Sequence, residues 1–182
     1  IWINNWLFHK SKEIRAATLL VFKSFSKPSN IITDVNQKGI YYGIYKSLIS
    51  TLPHLKSVTL SLLKMNESYK ITSDELYRQL PTEEFFSLLT WSIKSGSFYK
   101  EITQNGKQLG EICSTFGTYT SEYPNIHLMS FVYQIIDEDN SKEFFKDETL
   151  GLFLKGLTKI YFNDINNDPK TTILAHFIRI IP

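Results

Sequence analysis

The stretch His9–Lys27, HKSKEIRAATLLVFKSFSK, carries the most informative pattern of the chain. Apolar residues recur in it at spacings of three and four, which is typical of one face of an α-helix. These residues are Ile14, Ala17, Leu20, Val21 and Phe25. Ser11 suits the N-cap of this helix, and Pro28 cannot continue it. We therefore expect a helix between them whose apolar face lies in the core.

The same periodicity extends through the chain and predicts an all-α fold. Apolar residues repeat every four positions from Ile40 to Leu52, so we expect a helix over about 36–51 and a second helix that starts at Pro53. Further helices are expected over 72–80, 81–95, 126–136, 144–162 and 171–181, with a loop at 66–70. Residues 98–120 fit either a helix or a turn at Asn105-Gly106. The total is roughly eight to ten helices joined by short polar turns.

The composition limits the possible classes of function. A hydrophobic fraction of 42% provides for a sizeable core, and we treat 1–182 as a single segment. The net charge of +2 argues against a dedicated nucleic-acid binder, in which excess basic residues would neutralise phosphates. One cysteine is typical of a reducing compartment, so we expect an intracellular location, in the cytoplasm or the nucleus. No apolar run approaches the ~20 residues that a spanning helix needs, which predicts no membrane insertion.

Residues 9–27 resemble the second helix of a HEAT repeat, which has the pattern x-x-Val-Arg-x-x-Ala-x-x-x-Leu. Ile14 stands at the Val position and Arg15 at the Arg position. The Ala position falls on Thr18 by strict counting and on Ala17 by loose counting. The resemblance implies an α-solenoid of stacked antiparallel helix pairs, as in HEAT and armadillo proteins. It also implies that Arg15 is largely buried and bonds an acid or a carbonyl of a neighbouring repeat.

An α-solenoid implies a binding function, because stacked helix pairs leave an extended surface that holds partners. We expect a non-catalytic protein–protein interaction segment, a fragment of a larger intracellular scaffold, since both ends of the chain are apolar. The candidate contact residues are Lys12, Lys23, Lys27, Tyr41, Tyr42 and Tyr45. On a helical wheel the three lysines lie away from the core, where they form either a solvated face or a partner-binding patch. The aromatic residues are either interface residues or surfaces that neighbouring repeats would cover.

The alternative function is nucleic-acid binding by a helix-turn-helix-like unit near 72–94. Three acids, Glu75, Glu83 and Glu84, lie where phosphates would approach, which disfavours nucleic-acid binding. The sequence contains no nucleophile elbow, phosphate loop or dinucleotide fingerprint, so we predict neither enzyme activity nor a cofactor. Residues 137–148 approximate a calcium loop, but Lys142 stands where the loop needs glycine. We therefore predict no metal site.

Overall fold

The computed structural model describes residues 2–24, 34–69, 75, 78–98, 127, 128, 130, 131 and 134. The chain divides into two compact units, Ile1–Phe98 and Tyr99–Pro182. In the first unit the described helices are α1 (Trp2–Leu7), α2 (Lys12–Ser24), α3 (Asp34–Tyr69) and α4 (Thr82–Gly96). The described residues contain no strand, which confirms the prediction of an all-α fold. The solenoid arrangement of helix pairs stays a prediction.

Helix α2 begins where the sequence predicts it, directly after Ser11. The Oγ of Ser11 accepts a hydrogen bond from the backbone N–H of Ile14 at 3.4 Å, as an N-cap residue does. Glu13 lies in the first turn, where a carboxylate is stabilised by the helix dipole. The described part of α2 ends at Ser24, and Pro28 lies outside the described residues.

The orientation of α2 is the opposite of the predicted one. The apolar residues expected in the core are exposed, with 41% of Ile14, 69% of Leu20 and 48% of Val21 accessible to solvent. The buried residues of this helix are Arg15 and Thr18. Apolar periodicity predicts the wrong buried face here because it assumes that polar side chains stay in water. Arg15 and Thr18 can be buried since each forms hydrogen bonds inside the protein.

Helix α3 is continuous from Asp34 to Tyr69, so the predicted break at Pro53 and the predicted loop over 66–69 are wrong. Proline removes the hydrogen bond to the carbonyl of Ile49 and costs roughly 3 kcal/mol inside a helix. Pro53 itself lies on the exposed side of α3. The apolar face runs past it without interruption and buries Tyr41, Ile44, Tyr45, Leu48, Leu52, Leu55 and Leu63. Burial of this face on both sides of Pro53 offsets the local cost.

Helix α4 packs against both α3 and α2 and is buried on most of its surface. The residues predicted for its apolar side are all buried, namely Phe85, Leu88, Leu89 and Ile93. The helix ends at Gly96, and the C-cap residue Ser97 has φ 57° and ψ 44°, in the left-handed region. The N–H groups of Ser97 and Phe98 both donate to the carbonyl of Ile93. This termination confirms the predicted end at 95–97.

Aromatic rings join α4 to α3. Trp91 meets Tyr41 edge-on at a centroid distance of 5.2 Å. Phe98 folds back onto the rings of Tyr42 and Tyr45, at 5.2 and 5.6 Å. This return brings the ring of Phe98 so close to Gly96 that a Cβ there would lie 2.0 Å from it, so the position requires glycine.

Gly39 and Gly43, four residues apart on α3, suggest close packing of a second helix. The structure does not show it, since a Cβ at either position would meet no atom within 4 Å. Both residues are exposed. Close approach therefore does not explain these glycines.

Two predicted helices outside α1–α4 are described in part. Residues 75, 78 and 79 are helical, as predicted for 72–80. In the second unit His127, Leu128, Ser130, Phe131 and Gln134 are helical, as predicted for 126–136, and Leu128 and Phe131 are buried. The predictions for 99–120, 144–162 and 171–181 lie outside the described residues.

Candidate functional site

The side chain of Arg15 joins α2 to the turns that precede α2 and α4. It has no exposed surface. Its Nη1 donates to the carbonyls of His9 and Lys10, at 2.7 and 3.3 Å. Its Nη2 donates to the carbonyls of Arg78 and Leu80, at 2.5 and 3.1 Å. The guanidinium therefore holds the α1–α2 turn against the turn before α4.

Arg15 also forms an ion pair with α4. Its Nε donates to Oε2 of Glu84 at 3.3 Å, and both side chains are almost completely buried. The other carboxylate oxygen of Glu84, Oε1, has no hydrogen-bond partner in the described part of the chain. Burial raises the pKa of Glu84, and the nearby charge of Arg15 opposes that shift without cancelling it. The prediction that Arg15 is buried and bonds an acid and carbonyls is confirmed.

Two of the predicted contact lysines also bond α4. Lys12 Nζ lies 2.9 Å from Oε2 of Glu83, and Lys23 Nζ donates to Oγ of Ser87 at 3.1 Å. The helical-wheel prediction that these lysines lie away from the core is therefore wrong, because α2 turns this side toward α4. Lys27, the third predicted lysine, lies outside the described residues.

The exposed face of α2 opposite Arg15 carries four apolar residues beside the polar Glu13 and Ser24. We call Ile14, Ala17, Leu20 and Val21 the α2 stripe. All four residues are exposed, and Ala17 lies about 200° round the helix axis from Arg15. Sequence periodicity identified these residues but assigned them to the core. The signal that could have corrected this was Arg15, whose burial fixes which face of α2 turns inward.

The three predicted tyrosines differ in exposure. Tyr41 and Tyr45 are 7% and 1% exposed, and their rings pack within the α3–α4 core. Tyr42 is 40% exposed, and Lys46 Nζ lies over its ring at 5.5 Å from the centroid. Of the three, only Tyr42 therefore offers a substantial ring surface to a partner. The role of all three in partner binding stays a prediction.

The alternative helix-turn-helix interpretation would make α4 the helix that enters the DNA groove. Its surface is largely buried, and its acids Glu83 and Glu84 contact α2. A groove-reading helix needs an exposed face of side chains. Nothing in the described residues favours nucleic-acid binding, which stays a prediction.

The histidines of the first unit have structural contacts. Nδ1 of His9 accepts a hydrogen bond from the N–H of Ser11 at 3.0 Å, and the ring of His54 meets Phe8 edge-on at 4.6 Å. Within the described residues, no group of three or more His, Cys, Asp or Glu side chains could hold a metal ion. In the same part of the chain no helix has the length and apolarity needed to cross a membrane. The calcium-loop-like stretch 137–148 lies outside the described residues.

Comparison of the chain with protein-family models, curated proteins and solved structures finds no match. The resemblance of residues 9–27 to a HEAT repeat therefore has no support from a related protein. In the first unit, the exposed α2 stripe is the feature that departs most from the sequence prediction.

Proposed function

We propose that this chain is a non-catalytic protein–protein interaction segment of a larger intracellular scaffold, and that the α2 stripe contacts its partner. One observation carries the proposal. Helix α2 turns its charged side inward and leaves its apolar side in water. Amphipathic helices normally bury the apolar side, and a continuous exposed apolar surface marks interaction sites.

Burial of the α2 stripe by a partner would supply binding free energy. Ile14, Leu20 and Val21 each keep between 41% and 69% of their surface in water, so a partner can still bury it. Completing the burial of three such side chains would contribute roughly 3 kcal/mol in total, at about 1 kcal/mol for each. That is enough to anchor an interface whose remaining contacts supply complementarity.

The surroundings of α2 hold the stripe in a fixed orientation. Arg15 ties the helix to two turns and to Glu84. Lys12 and Lys23 add bonds to α4 near the two ends of the helix. A partner therefore meets an ordered surface and pays little entropy to arrange it.

A HEAT-like solenoid in the cytoplasm or nucleus is the wider setting that we propose. The buried, carbonyl-bonded Arg15 supports the HEAT resemblance, and the single cysteine fits a reducing compartment. The 36-residue α3 departs from the short helix pairs of such repeats. The proposed binding function depends on the α2 stripe and not on the repeat assignment.

The test compares charge insertion on and off the stripe. Leu20→Lys and Val21→Lys place a cation on the α2 stripe, and Ser95→Lys, at an exposed position of α4, is the matched control. Proteins bound to each variant in cells are quantified by mass spectrometry, and binding to the main partner is then measured with purified proteins. We expect both stripe variants to weaken that binding roughly tenfold or more and the control to leave it unchanged. Equal binding by all three would refute the proposal.

A further inference from the structure

The exposed face of α2 is narrow and has two edges. Its exposed residues lie within an arc of about 120° round the helix axis, and they are Glu13, Ile14, Ala17, Leu20, Val21 and Ser24. Ile14 and Val21 lie on one edge, whereas Glu13, Leu20 and Ser24 lie on the other. Ala17 lies on the midline, where its small side chain lets a second helix approach closely. The face can therefore receive another helix along its length.

A second copy of α2 fits this face in the antiparallel direction. A two-fold axis that crosses the helices reverses the direction of the second helix and keeps each edge on its own side of the pair. On the first edge, Ile14 of each copy then meets Val21 of the other. On the second edge, Glu13 of each copy meets Ser24 of the other. Both pairs are centred at almost the same level of α2, near Thr18, so a single axis satisfies both.

The polar residues of the face support this direction. Glu13 supplies a hydrogen-bond acceptor, and Ser24 supplies a donor. The hydrogen bond from Ser11 lowers the pKa of Glu13, so its carboxylate is ionised at neutral pH. The hydroxyl of Ser24 donates to the carbonyl of Val21 within α2, and it can turn to a carboxylate of the other copy. The exposed acid and the exposed hydroxyl of α2 would therefore meet twice in the pair, once on each side of the axis.

The parallel direction is unfavourable. A parallel copy would place Glu13 of one helix level with Glu13 of the other, where the two carboxylates repel each other. It would also place that carboxylate against the apolar Ile14 of the other copy, where its hydration is lost without a partner. The antiparallel pair instead separates the two Glu13 side chains by about 16 Å along the helix axis. The net charge of +2 on each chain adds little repulsion between copies.

We propose that the partner of the α2 stripe is a second copy of this chain, bound by antiparallel packing of the two α2 helices. The inference rests on the proposed function and names its partner. Each copy supplies the surface that the other buries, because a two-fold interface uses the same patch twice. One pair of short helices buries less than the about 1,200 Å² of a stable complex, so we expect a weak dimer with a dissociation constant on the order of 100 µM.

Sedimentation velocity of the full chain, at concentrations from about 10 µM to about 1 mM, tests the association. We expect the sedimentation coefficient to rise with concentration as the dimer forms. Leu20→Lys places a cation from each copy near the axis of the pair, so it should raise the dissociation constant about tenfold or more. Ser95→Lys, at an exposed position of α4, is the matched control and should leave the dissociation constant unchanged.

Disulfide trapping tests the direction of the helices. Cys113 is replaced by serine in every chain, and one new cysteine is introduced as Glu13→Cys or as Ser24→Cys. Copper phenanthroline oxidises the thiols, and electrophoresis without reductant measures the cross-linked dimer. We expect a mixture of the two variants to cross-link at least about fivefold more than either variant alone, because only the antiparallel pair brings position 13 within disulfide distance of position 24.

Three results would overturn the inference. The chain stays monomeric up to about 1 mM, Leu20→Lys dimerises as well as the unchanged chain, or either cysteine variant alone cross-links as well as the mixture. The proposed function is judged separately. If Leu20→Lys and Val21→Lys still weaken binding to a different protein, that function stands without self-association, and if they weaken neither, both fail. Urea unfolding followed by tryptophan fluorescence confirms that each variant is folded before its association is compared.

Discussion

Replacement of Arg15 by alanine is the most direct test of the structure. The change removes the ion pair with Glu84 and four hydrogen bonds to carbonyls of the two turns. Arginine stays protonated in proteins, so the wild-type side chain is a buried cation that these groups stabilise. Its loss leaves the buried carboxylate of Glu84 without a counter-charge.

The expected cost follows from this burial. Removing one partner of a buried ion pair typically destabilises a protein by about 3–5 kcal/mol. The carbonyl of Leu80, whose bond to Arg15 is buried, loses its donor as well, which places the cost toward the upper part of that range. Lys12→Ala is the matched control on the same helix. Its ion pair joins side chains that are 31% and 43% exposed, so its loss should cost about 0.2–1 kcal/mol.

Urea unfolding monitored by tryptophan fluorescence reports on the correct unit. The three tryptophans, Trp2, Trp6 and Trp91, all lie in the unit Ile1–Phe98. The measured quantity is the free energy of unfolding from the linear dependence on urea. A loss for Arg15→Ala no larger than that for Lys12→Ala would refute the role of Arg15 as a buried tie.

A double variant separates the ion pair from the packing. Arg15→Met keeps an apolar side chain in the site but leaves Glu84 uncompensated, and Glu84→Gln in the same chain removes the buried charge. We expect the double variant to be more stable than Arg15→Met alone, because a buried unpaired charge is costlier than a neutral amide. A double variant that is less stable than Arg15→Met would show that the carboxylate of Glu84 is not the source of the cost.

Three further predictions concern the same unit, each measured as a change in the free energy of unfolding in urea. Burial raises the folded-state pKa of Glu84, so its contribution to stability is greatest below the ordinary pKa of 4.5 and is lost as the pH rises through the raised value. Glu84→Gln should remove that decline, and an unchanged pH profile would contradict it. Ser97→Gly should stabilise by about 1 kcal/mol because glycine adopts φ 57° without strain, whereas Ser95→Gly inside the helix should destabilise by about 0.5–1 kcal/mol. Gly43→Ala should stabilise the protein by about 0.5–1 kcal/mol, because the added Cβ would lie in open space. Gly96→Ala should destabilise it, because the added Cβ would overlap the ring of Phe98. Changes in the free energy of unfolding of the same sign for both variants would refute the packing of Phe98 against Gly96.

The sequence predicted the ends of helices correctly where capping residues set them. The N-cap at Ser11 and the end of α4 near Ser97 follow from local backbone chemistry, which short segments specify by themselves. The break predicted at Pro53 was wrong because the proline signal is local, whereas the apolar face that keeps α3 continuous extends well beyond it. The spacing located Lys12 and Lys23 on α2 and the three candidate tyrosines on α3, but it could not state which of them are exposed.

The helical character of the described chain and the amphipathic pattern of α2 follow from periodicity and capping, which act over a few residues. Which face of α2 is buried depends instead on contacts made in three dimensions. Arg15 reaches carbonyls and a carboxylate that lie more than sixty positions away in the sequence, and these bonds make burial of a charged face favourable. No local pattern encodes such distant partners, so the exposure of the α2 stripe, and with it the proposed binding surface, became visible only in three dimensions.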